Sequence, residues 1–356
     1  MTIYDPTALR RELHEMPELA LHEKRTSAYV AEKLKALGIE THENVGGSTG
    51  VVGIIRGTEP GPVFMLRADM DALPIAEATG AAFARSIPAR CTLADMTDTW
   101  PWHLPPRRMS TVRFASSRRH EAQRSLCVPA GRRNDRWCQD GMRERCVRAY
   151  GADRIFGFHV WPDLPAGTLA SCSGPLLARS SETHIHIHGT SIHIAKTYGV
   201  PVEESHDAAL AAAKFLVAER ELMDELGTDE PVSVSLVCCR PVPSATRWRG
   251  RPMLPAVCVC LRTTCSTVRV RACAACLMRH ALQRLHVRSR LCRGYPPVDN
   301  DPELFAHIAP ALPELQLVDE PLLIAEDFAF YQRHLPGVFF LLGTGVPEGQ
   351  ENPIDA

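Results

Sequence analysis

The chain has 356 residues, a formal net charge of −1 and 45% hydrophobic residues. That is enough for two domains with buried cores, and too evenly charged to bind nucleic acid or an anionic membrane by its overall field. No apolar run is long enough to cross a bilayer, and Met1-Thr2-Ile3-Tyr4-Asp5 has no basic stretch followed by an apolar one. The expectation is a cytoplasmic protein.

Residues 7 to 37 read as two helices. Leu9 and Leu13 share one face of the first; Ala28, Ala31, Leu34 and Leu37 line the second, and Gly38 follows as a C-terminal cap. Val51 to Ile55 and Val63 to Leu66 are apolar runs separated by Gly57-Thr58-Glu59-Pro60-Gly61, a turn by composition. Runs of this kind suit strands buried on both faces of a parallel sheet. Directly after the second run come Asp69 and Asp71, two residues apart. Ligands of open α/β sheets sit beyond the carboxyl ends of the strands, so this pair is a candidate for metal or proton chemistry. Its plainer reading is a pair of loop-capping acids.

From Arg90 to Arg148 neither helical nor strand periodicity survives, and Pro, Arg, Trp and Cys accumulate. Pattern returns at Ala149-Tyr150-Gly151. Ile155 to Pro162 reads as a buried strand with His159 inside it. Thr183-His184-Ile185-His186-Ile187-His188-Gly189 alternates, predicting a half-exposed strand with three histidines on one face. Those histidines could hold a metal or form the solvated face of a sheet. Asp207 to Leu226 predicts a long helix, and Val232 to Val237 another strand. Cys238 to Cys292 is irregular in the same style as the first block. Asn300 to Leu312 is helix-like, Glu326 to Tyr331 predicts the start of a helix with acids suited to its dipole, and Val338 to Leu342 is a core strand. Both irregular blocks are expected to be disordered or poorly packed, since Arg-rich aperiodic segments bury too little apolar area to offset their ordering entropy.

The 13 cysteines cluster in those blocks: Cys91, Cys127, Cys138 and Cys146 in the first, eight from Cys238 to Cys292 in the second, with Cys172 outside both. A disulfide framework does not suit a cytoplasmic chain of this size. Cys273 and Cys276 have a zinc-knuckle spacing, but no matching Cys or His pair follows at finger distance.

Taken in order, Leu66-Arg67-Ala68-Asp69-Met70-Asp71-Ala72-Leu73-Pro74, Gly157-Phe158-His159-Val160-Trp161-Pro162, Gly167-Thr168-Leu169-Ala170, Gly174-Pro175-Leu176 and Glu326-Asp327-Phe328 resemble the M20 metallopeptidases. The branch they are most similar to is the amidohydrolases: hippurate hydrolase, N-acyl-amino-acid amidohydrolase and N-acetyldiaminopimelate deacetylase. The resemblance covers residues 5 to 90, 149 to 237 and 293 to 346. It implies an α/β fold: a catalytic α/β domain with a two-metal site over residues 1–177 and 291–356, and a smaller inserted α/β lid and dimerisation domain over residues 178–290. It implies two divalent ions, with Zn, Mn, Co or Ni all chemically suitable. It makes His159 a metal ligand, Asp71 a carboxylate that orients a ligand, His193 the lid histidine that reaches the substrate carbonyl, and Glu326 an acid near the site. The implied substrate is a small N-acyl amino acid and the implied assembly a homodimer, with no nucleic-acid or membrane partner.

Three parts of the family pattern are missing: a His-Ala-Cys-Gly-His-Asp motif with a bridging ligand, a Pro-Ala-Glu-Glu motif with the general base, and a histidine near the C-terminus. Back-translation locates the first two. Permitted codons for Cys91 to Trp102, read from the third base, give His-Ala-Cys-Gly-His-Asp-Gly-His-Met-Ala-Met. Codons for Val128 to Arg148, read one base later, give Phe-Gln-Pro-Ala-Glu-Glu-Thr-Thr-Gly-Gly-Ala-Lys, the general-base motif falling across Ala130-Gly131-Arg132-Arg133-Asn134. Met and Trp codons are fixed, so the freedom is limited. Residues 91–148 therefore read as a frameshifted stretch, and 238–292 as a second scrambled block with no motif recovered.

In the family, two cations polarise the amide carbonyl and acidify a bridging water, the Glu carries the proton, and the lid His stabilises the oxyanion. With His159 as the single matching ligand, the expectation for this chain is impaired activity. The alternatives are an inactive relative that keeps the fold, and a nucleic-acid binder using the arginines from Arg107 to Arg136. Those arginines lack helical spacing and aromatic partners.

Overall fold

The computed structural model of the chain describes residues 5–57, 59–72, 123–128, 136–188, 199, 201, 207–226, 232–242, 256–265 and 286–345. The backbone divides into two compact units. One comprises Met1–Leu176, Val298–Glu320 and Asp327–Ala356; the other comprises Leu177–Pro297 and Pro321–Glu326.

The first unit opens with α1 (Pro6–His14), where the Asp5 carboxylate accepts from the Thr7 backbone N–H at 2.9 Å and Pro6 occupies the first turn. The helix buries Leu9 and Leu13, the two leucines whose spacing marks its inner face. The second helix, α2 (Lys24–Ala36), buries Val30, Ala31 and Leu34 and gives way to Gly38 at φ 76°. Strand β1 (Glu40–Val45) then pairs antiparallel with β2 (Gly50–Ile55), the turn between them using positive φ at Asn44, Gly46 and Gly47.

The sheet continues through β3 (Val63–Arg67), β4 (Gln123–Val128), β5 (Arg154–Pro165), β6 (Leu169–Ser171), β13 (Leu315–Leu317) and β14 (Gly337–Gly345), in the order β1-β2-β4-β3-β5-β14-β6-β13. Strand β3 is parallel to both β4 and β5, and β14 is parallel to β5. Four neighbouring parallel strands thus end on one edge, as in an open α/β sheet. On one face Leu13, Val30, Leu34 and Val51 pack with Ala68 and Met70. A second cluster joins Phe156, Val338 and Phe340 to Leu304, Phe305 and Ile308 of α5 (Pro302–Ile308). Helix α3 (Arg136–Tyr150) follows β4, and the short strands β7 (Gly174–Leu177) and β12 (Val298–Asn300) pair with each other.

The second unit carries a four-stranded antiparallel sheet of β8 (Arg179–His188), β9 (Val232–Val242), β10 (Ala256–Cys265) and β11 (His286–Arg293), in the order β11-β8-β10-β9. Helix α4 (Ala208–Leu226) packs on it, burying Ala208, Ala211, Ala212 and Phe215.

The fold class is α/β, as the order of apolar runs and helices requires. Three expectations need correction. Strands β4, β10 and β11 and helix α3 lie wholly or largely within stretches expected to be irregular; Ala256-Val257-Cys258-Val259-Cys260 is in fact a run of small and β-branched residues that suits a strand. The segment after Glu326 is a 3₁₀ helix, Asp327–Arg333, short and tight, in which Asp327, Phe328, Phe330 and Tyr331 are all buried. Strand β1 was invisible to a search for apolar runs because Glu40-Thr41-His42-Glu43-Asn44 is an exposed edge. Among the described residues no helix is long and apolar enough to cross a membrane.

Candidate active site at the strand ends of the first unit

Strand β3 ends in Arg67, and the chain then turns through Ala68-Asp69-Met70-Asp71-Ala72. The loop is fastened from both sides. The Ala72 N–H donates to the Glu18 carbonyl at 2.8 Å, and Leu19 forms an isolated parallel bridge with Ala72. Glu18 in turn accepts from the Thr26 N–H at 2.8 Å and its hydroxyl at 3.0 Å, at the start of α2. Ala68 and Met70 are fully buried in the core beneath, while Asp71 is half-buried. A carboxylate held this way has little freedom to lose when it meets a ligand.

Below it lies a buried charge cluster. The Arg67 guanidinium, 1% exposed, donates through Nη2 to Asp69 at 2.7 Å and to Asp327 Oδ1 at 2.6 Å. Asp327 also accepts from Arg143 of α3 through its other oxygen. Arg143 lies over the rings of Phe330 and Tyr331, 5.1 and 5.4 Å from the centroids. Two cations and two carboxylates therefore balance one another in the interior, which is the condition under which buried charge is tolerated. Residue spacing alone did not single out Arg67, Arg143 or Asp327. The available signal was an arginine closing an otherwise apolar strand, a position that demands a buried counter-ion.

His159 sits on β5, next to β3, and is half-buried. Arg67 is level with Gly157 in the parallel ladder, so both chains run on past that level in the same direction, one into Asp69 and Asp71 and the other into His159. Nδ1 of His159 lies 2.7 Å from the Val160 carbonyl. A carbonyl can only accept, so Nδ1 is the donor in this contact. Gly157 permits this packing: a Cβ there would meet the Phe328 and Phe339 rings at 2.7 and 2.8 Å.

Glu326, 2% exposed, belongs to the second unit. His193 lies outside the described residues. The structure therefore puts Asp71 just past β3 and His159 on the neighbouring strand β5 within one unit, and buries Glu326 in the other. Among the described side chains no group of three His, Cys, Asp or Glu stands close enough to hold a metal ion. One imidazole and neighbouring acids do not make the donor set of a two-metal centre.

One unit is a mostly parallel α/β sheet with paired acids just past β3 and an imidazole on β5, and the other is built on an antiparallel sheet. The chain belongs to the peptidase family M20/M25/M40, whose model matches residues 131–354. It is 30% identical over 345 residues to thermostable carboxypeptidase 1 of Saccharolobus solfataricus, covering 94% of this chain and 85% of that one. It is 28% identical over 365 residues to the N-acetyl-L-cysteine deacetylase of Bacillus subtilis, covering 97% and 82%. Among solved structures it is similar to the Bacillus subtilis YXEP protein, a dinuclear metal-binding peptidase of the M20 family, with a TM-score of 0.68, 25% identity and coverage of 98% and 90%.

Proposed function

We propose that the gene encodes a cytoplasmic, homodimeric amidohydrolase that cleaves N-acyl amino acids, and that the chain as it stands is impaired in that reaction. The observation that carries the reading is the placement of Asp71 just past the end of β3 and of His159 on the neighbouring parallel strand β5, beyond the level at which β3 ends, in a chain of this family. The relatives named N-acetyl-L-cysteine deacetylase and N-acetyldiaminopimelate deacetylase support an N-acyl amino acid as the substrate class. Asp71 would orient a metal ligand, His159 would be a ligand through Nε2, and His193 of a lid over residues 178–290 would meet the substrate carbonyl, with Glu326 near the site. The family's two ions, zinc, manganese, cobalt or nickel, would supply the activated water, but the donors described do not fit such a pair. Two of the three missing parts of the family pattern are restored by the shifted reading of residues 91–148; the histidine near the C-terminus is not.

The test is direct. Purified protein incubated with manganese or zinc is expected to release no amino acid above background from N-acetyl and N-benzoyl amino acids. Metal-dependent turnover by this polypeptide would refute the impairment.

A further inference from the structure

We draw no further inference here: the strongest candidate, the buried Glu23 carboxylate at the entry to α2, which accepts from the Leu21 N–H at 2.8 Å and from the Thr49 hydroxyl, closes the turn that carries Glu18 and Leu19 onto Ala72 and so belongs to the fastening of the strand-end site already described.

Discussion

Asp327 is the residue whose loss the first unit would feel most. It answers two guanidiniums, Arg67 and Arg143, that are both nearly inaccessible to water. Removing one partner from a buried charge network leaves the others uncompensated, at a cost of about 3–5 kcal/mol. Asp327→Ala is therefore expected to lose that much in urea unfolding, whereas D327N should lose less, because an amide oxygen still accepts from one arginine. Equal, small losses in the two variants would mean the cluster contributes little. The same logic ranks the arginines: Arg67 answers two carboxylates, and Arg143 one carboxylate and two aromatic faces. None of this follows from spacing along the chain, because the partners are 184 and 260 residues apart.

At the scale of elements, β5 and β14 depend on a missing side chain. Phe328 and Phe339 are fully buried, their rings 4.9 Å apart, and each such burial is worth about 1.5–3 kcal/mol. They occupy the space over Gly157 that a Cβ would claim. Gly157→Val is expected to cost at least about 1–3 kcal/mol through overpacking, seen as a lowered thermal midpoint, and G157A less. A G157V protein as stable as the parent would show that the rings can move aside. Elements of this kind were legible in the sequence wherever one face had to be apolar. The helices over residues 7 to 37, the strands at Val51 and Val63 and the alternation around His186 all appear close to where periodicity put them. Elements without that one-sided demand were not. Strand β1 is a polar edge, and the 3₁₀ segment at Asp327 buries both acid and aromatic residues. The candidate site was half legible. Paired acids after an apolar run point to a strand end, but the fastening of Asp71 through Ala72 and Glu18 needs two segments that only the fold brings together.

For the whole molecule, the decisive question is which frame encodes residues 91–148. Strand β4 lies between β2 and β3, an interior position with neighbours on both sides. Its register sets Ser125 beside Ile54 and Met65, and Arg124 beside Ile55 and Phe64, so the first half of a central strand is polar. Central strands with apolar neighbours on either hand ordinarily read as unbroken hydrophobic runs. Past Val128 the chain enters the codons whose shifted reading gives Pro-Ala-Glu-Glu. Because β4 is parallel to β3, a glutamate pair encoded there would emerge on the same sheet edge as Asp69 and Asp71, and on the side of β3 away from His159. Deep sequencing of the coding DNA across codons 85 to 150 is expected to find one- or two-base insertions or deletions near codons 90 and 149. The corrected protein should then hold two metal equivalents per chain by elemental analysis and hydrolyse N-acetyl amino acids. Should the present frame be confirmed, the glutamates and the bridging ligand do not exist in this polypeptide. The first unit is then an M20 scaffold whose strand-end acids and His159 have no catalytic metal pair to serve.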